Sequence, residues 1–93
     1  MTSQRKNIYA TNNSLAIYTF RIFEETETHY KAYDIAIPSW YFNFEKDTLK
    51  CTCEHKSIEN IINDDLFVSF DLDEVKKEYT KRCNDFSKKY YLF

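Results

Sequence analysis

The sequence predicts an α+β fold: an antiparallel sheet of four to five strands packed on a long C-terminal helix, with one short helix before it. Two observations carry this. Between residues 15 and 55, apolar and polar side chains alternate with period two in short runs separated by polar reversals. From Asp71 onward, apolar residues recur instead at helical spacing. A length of 93 residues sets the chain, 1–93, as one domain with a small core.

The first strand is expected over residues 15–24, rich in β-branched and aromatic side chains, and Glu24 to Thr28 reads as a turn. The second, residues 29–37, places Tyr33, Ile35 and Ile37 on one side and Tyr30, Ala32, Asp34 and Ala36 on the other, ending at Pro38. Trp40, Phe42 and Phe44 alternate with Tyr41, Asn43 and Glu45 in a third strand, and Glu45 to Thr48 reverses the chain without glycine. Its hairpin partner is Leu49 to His55. Ser57 is expected to cap a short helix, Ile58 to Ile62, with Glu59 in its first turn. Leu66 to Phe70 fits either a fifth strand or a buried connection. Asp71 and Glu74 have capping-box spacing for a helix reaching about Tyr90, with Leu72, Val75, Tyr79, Cys83, Phe86 and Tyr90 in one narrow stripe. Glu78 stands four residues before Arg82, and acids precede bases along this helix, as its dipole favours.

Composition excludes several classes of chemistry. The chain contains no glycine, so P-loops, dinucleotide fingerprints and nucleophile elbows, which need a residue without a Cβ, are absent. Charged residues at 30% and hydrophobic ones at 43% describe a folded, soluble chain with no apolar run long enough to span a membrane. No apolar segment follows the basic N-terminal residues, and three cysteines fit a reducing compartment, so the cytoplasm of a host cell is the expected location. Lysine exceeds arginine, and Asn, Ile, Tyr and Phe are abundant, a usage that AT-rich codons supply. It points to a phage or mobile element.

The stretch Leu49-Lys50-Cys51-Thr52-Cys53-Glu54-His55 is the one that resembles a chemical motif. Strict alternation puts Leu49, Cys51, Cys53 and His55 on one face, where free cysteines act as small core hydrophobes. A zinc site would need the two thiolates within about 4.6 Å, closer than the roughly 6.5 Å between such neighbours, and a further ligand such as Cys83 or His29. No metal and no cofactor is expected. His29 and His55 lie in ordinary strand surroundings with no activated nucleophile beside them, so catalysis is not expected either.

Aromatic residues make up 18% of the chain, more than helices on one sheet face would cover. Tyr18, Phe20, Tyr30 and Tyr41 are therefore the expected partner-binding residues on an uncovered sheet face. The partner expected is a host protein or protein complex, with a homodimer as another occupant of such a face. The function this suggests is inhibition of a host enzyme or defence system, of the anti-CRISPR, anti-restriction or antitoxin kind, by occluding a surface of the target. The alternative is a small nucleic-acid-binding regulator using Lys77, Lys81 and Lys88 with exposed aromatics. A net charge of −2 and the acids interleaved among those lysines argue against it.

Overall fold

The computed structural model describes residues 7–91, with side chains described for residues 7–89. Six strands form one curled antiparallel sheet: β1 (Asn7–Thr11), β2 (Ile17–Glu25), β3 (His29–Asp34), β4 (Tyr41–Glu45), β5 (Cys51–Cys53) and β6 (Phe67–Ser69). Their spatial order is β5-β4-β3-β2-β1-β6. A 3-10 turn, Lys56–Ile58, leads into α1 (Glu59–Ile62), and the chain closes with α2 (Leu72–Tyr91).

The α+β class and the long C-terminal helix agree with the sequence expectation, but the sheet has six strands rather than four to five. The additional strand is β1, a short run before residue 15 that pairs Ile8 with Phe20 and Ala10 with Tyr18. Leu66 to Phe70 resolves as strand β6, which joins the sheet on β1 and not on its sequence neighbours. The second strand stops at Asp34, three residues short of the expected end. There the Asp34 carboxylate accepts the Ala36 N–H at 2.8 Å, and the Asp34 N–H donates to the Trp40 carbonyl, which turns the chain before Pro38.

Alternation sorts each strand into two faces. The inner face carries Ile8, Ala10, Phe20, Tyr30, Ala32, Phe42, Phe44 and Cys51, all buried, and Ile58 and Ile61 from the α1 segment close over them. Phe20 sits at its centre, 4.7 Å from the Phe42 ring and 5.3 Å from Phe44, in the tilted geometry that aromatic pairs prefer. Burying each such ring contributes about 1.5–3 kcal/mol. No residue of α2 belongs to this cluster although Val75 is fully buried. α2 therefore packs on the outer face, against β1, β6 and the adjoining part of β2. Burial falls along α2, from Val75 through half-buried Tyr79 and Cys83 to exposed Phe86, so only the first half of the expected stripe meets the sheet. The side chain of Tyr90, the last member of that stripe, lies outside the described residues.

The capping of α2 differs in its partners from the expected box. Asp71 accepts the Asp73 N–H at 2.9 Å, as an N-cap should. Glu74 reaches back instead to the hydroxyl of Ser69, at 3.2 Å, and that hydroxyl accepts the Asp71 N–H at 3.0 Å. Glu78 and Arg82 pair at 2.7 Å as their spacing predicts, and Arg82 also donates to the Asp65 carbonyl, tying α2 to the connection before β6. Ser57 does not cap a helix: it lies inside the 3-10 turn, and neither that turn nor α1 carries a side-chain cap.

A buried polar staple joins the β1–β2 turn to α1. Asn12, fully enclosed, donates to the Tyr18 hydroxyl and to the Ile61 carbonyl, each at 3.3 Å, while its carbonyl oxygen accepts the Ser14 N–H. The Asn13 N–H and Ser14 hydroxyl both bond to Asp64. Among the described residues no helix is long and apolar enough to cross a membrane.

Candidate functional site

The outer face of β3 and β4, with the part of β2 around Phe23, lies beyond the main contacts of α2, and there the molecule exposes aromatic side chains side by side. Three features of the sequence create this. Residues Tyr33 and Tyr41 occupy paired positions on β3 and β4, and both point outward by alternation. A bulge in β2, where Ile22 pairs with Ala32 but Glu24 with Lys31, inserts Phe23 as the extra residue and turns it onto this face. Pro38, in the β3–β4 connection, completes a shallow groove of about 540 Å³ lined by Phe23, Tyr33, Pro38 and Tyr41.

The rings touch one another without being covered. Phe23 stands 6.0 Å from Tyr33 and 5.7 Å from Tyr41, yet Phe23 is 49% and Tyr41 47% exposed. The His55 ring lies 6.4 Å from that of Tyr41 and extends the cluster. Ile35 and Ile37, in the same connection as Pro38, are exposed as well. Large apolar side chains grouped in this way, rather than scattered singly, mark interaction surfaces.

The four aromatic residues expected to bind a partner do not share a face. Phe20 is wholly enclosed and Tyr30 is buried beneath the Phe70 ring, edge-on at 5.5 Å, so the expectation that these two are exposed is overturned. Tyr18 is half-buried on the same inner face, its hydroxyl held by Asn12. Only Tyr41 stands on the open face. The reason is that alternation assigns two faces within a strand but does not align one strand's faces with the next. Charge would have aligned them: Arg21 on β2, Lys31 on β3 and Glu45 on β4 mark the water-facing side, and Phe23, Tyr33 and Tyr41 share it.

The cysteine stretch resolves as packing. Cys51 is buried in the core and Cys53 packs against it, as alternation predicts. Burial first, and the neighbouring Cys53 second, push the Cys51 thiol up to about 12; Cys53 is pushed up by burial and by the Glu59 carboxylate. Both are thus held as neutral thiols. Leu49 and His55 do not extend the strand: Leu49 sits in the left-handed region at φ 59°, and His55 swings to the outer side beside Tyr41. Among the described residues no three His, Cys, Asp or Glu side chains group as a metal site would require. His29 bonds to the Thr28 hydroxyl at 2.7 Å. Lys77, Lys81 and Lys88 are exposed along α2.

Comparison of the chain with protein-family models, with curated proteins and with solved structures finds no match.

Proposed function

We propose that this chain is a non-catalytic binding module that covers a surface of a larger host protein, in the manner of a phage or mobile-element inhibitor of a host enzyme or defence system. The observation that carries the reading is the open cluster of Phe23, Tyr33 and Tyr41 around Pro38. Aromatic side chains present large contact area at small entropic cost and dominate protein interfaces. Codon-driven composition supports the mobile-element origin, and the neutral, enclosed Cys51 thiol suits packing better than attack.

The test is affinity capture of the tagged chain from cells of its host, compared with the double variant Phe23→Ala/Tyr41→Ala. A stoichiometric protein partner held by the parent chain and lost by the folded variant is the expected result. Equal retention by both overturns the reading. Nucleic-acid binding through Lys77, Lys81 and Lys88 remains the second reading, favoured by the exposure of all three on α2. Asp73 lines the same shallow groove as Lys76 and Lys77 and opposes a phosphate there. Nuclease treatment of the captured material separates the two readings, since only a nucleic-acid ligand would be destroyed.

A further inference from the structure

The sheet ends in β5 at one edge and β6 at the other, and on β5 the outward backbone groups can be assigned. The Glu45 N–H donates to the Lys50 carbonyl at 3.0 Å, which makes that pair a hydrogen-bonded rung in the register of the β4–β5 ladder. Rungs of an antiparallel pair alternate between bonded and non-bonded. Thr52 therefore bonds to Asn43, whereas Cys51 and Cys53, opposite Phe44 and Phe42, turn their N–H and C=O groups away from β4. Among the described residues those groups meet no other hydrogen-bonding partner. An unpaired backbone group is costly where water is excluded, and Cys51 is only 7% exposed.

The space beside this edge is bounded on its far side. A groove of about 280 Å³ has Leu49 and Cys51 on one wall and Ile62 of α1, with Leu66 and Val68 at β6, on the other. It shares Lys50, Cys51 and Ile62 with a second groove of about 450 Å³, in which Thr52 and Cys53 face Glu59 and Asn63. Together the two follow the whole of β5. The sheet thus curls until both of its edge strands line one seam without pairing across it. Leu49, Ile62, Leu66 and Val68 are all only partly buried against the core, so the seam offers apolar surface as well as backbone groups.

This arrangement selects its occupant. Free N–H and C=O groups at alternate positions match the backbone of an extended chain, as in strand addition to a sheet edge. The β5 edge of a second copy would bring its own β4 into the space that Ile62, Leu66 and Val68 already fill, so what the seam admits is a single isolated strand. We propose that the β5 edge is a strand-addition site for an extended segment of a partner protein, whose apolar side chains at alternate positions meet Leu49, Ile62, Leu66 and Val68. The seam lies on the inner side of the sheet, opposite the face that carries Phe23 and Tyr41, and the inference does not depend on what those rings bind.

The probe is a displayed library of random linear peptides selected on the purified chain. Enriched sequences are expected to alternate apolar and polar residues, and the best of them, made synthetically, to bind with a Kd below about 100 μM. In amide NMR spectra that peptide is expected to move the Cys51 and Cys53 resonances more than those of Phe23 and Tyr41. Replacing its amides by N-methyl amides one at a time leaves this chain unchanged. Affinity is expected to fall about tenfold at alternate positions and less than about threefold between them. Ile62→Arg, which puts a charge into the seam, is expected to weaken binding about tenfold or more, with circular dichroism verifying the fold. A library without a binder of that affinity overturns the proposal. So do selected peptides that shift only Phe23 and Tyr41, that tolerate N-methylation at every position, or that bind the folded Ile62→Arg chain as well as the parent. Self-association of the chain alone that protects the Cys51 and Cys53 amides from exchange assigns the edge to a second copy and overturns it too.

Discussion

On strands β2, β3 and β4 the inner and outer faces are built from the same kinds of side chain and meet opposite environments. Phe20, Tyr30, Phe42 and Phe44 point inward and are enclosed by the curl of the sheet and by the α1 segment. Phe23, Tyr33 and Tyr41 point outward, where α2 covers only the β6 and β1 side of the sheet and leaves their rings open. Ring content therefore does not distinguish the enclosed face from the open one in this molecule. The neighbours do: the inner rings alternate with alanine and isoleucine on their own face, whereas the outer ones share theirs with Arg21, Lys31 and Glu45.

The sharpest way to break this comparison is to remove two adjacent rings of β4. Phe42→Ala deletes a ring that is fully enclosed and packed on Phe20, and the cost is expected to be about 3–5 kcal/mol of unfolding free energy. Tyr41→Ala, one residue away, removes a ring that water already half surrounds, with a cost of about 1 kcal/mol or less. Urea denaturation followed by the Trp40 fluorescence measures both. Equal losses would mean that the outer cluster is structural, and the case for an interaction surface would fall with it.

A smaller effect separates the faces by protonation. Because burial raises the Cys51 pKa to about 12 from an ordinary value of 9.0, the folded state favours the neutral thiol more than the unfolded state does. That contribution is complete below pH 9 and is lost as pH rises from 9 towards 12. Cys51→Ala removes this dependence, so its stability, lower at neutral pH from lost packing, is expected to fall less steeply than the parent's across that window. At pH 8 the native Cys51 is expected to resist a thiol reagent until the chain unfolds. Reaction of Cys51 at the rate of a free thiol would show that the inner face is open to water.

The degree to which the sequence disclosed these features follows from how local each signal is. The 3.6-residue stripe and the Asp71 cap are read within one helix, and α2 appears where they place it. Alternation within one strand put Cys51 inward and Tyr41 on the side opposite Phe42, and both are so placed. The pairing of β6 with β1 depends on segments more than fifty residues apart, and nothing in the local pattern of either strand encodes it. Which aromatic rings share the open face is hidden for a similar reason, because relating Tyr18, Phe20 and Tyr30 to Tyr41 requires the register between strands. That register is set partly by the bulge at Phe23, for which the sequence carries no glycine to announce it.

Register is also where the smallest effect sharpens the comparison most, because a slip of one residue in the β4–β5 hairpin would exchange the two faces of β5. The hairpin is closed by Leu49, whose N–H donates to the Glu45 carbonyl at 2.7 Å while the Glu45 N–H donates to the Lys50 carbonyl at 3.0 Å. In a chain without glycine this turn places a leucine at φ 59°, a conformation that costs a residue with a Cβ about 1–2 kcal/mol. Asparagine adopts it more readily, and a β-branched residue resists it most. Leu49→Asn gives up apolar contact with the core but relaxes the backbone, so a net change within about 1 kcal/mol is expected. Leu49→Val keeps much of the apolar surface and is nevertheless expected to be less stable than the Asn variant, by about 1 kcal/mol. Thermal denaturation of the pair decides between turn and packing. If valine proves the better tolerated, contact of Leu49 with the inner face holds the register and the turn merely follows; if asparagine does, the turn itself assigns Cys51 to the core and Thr52 to water.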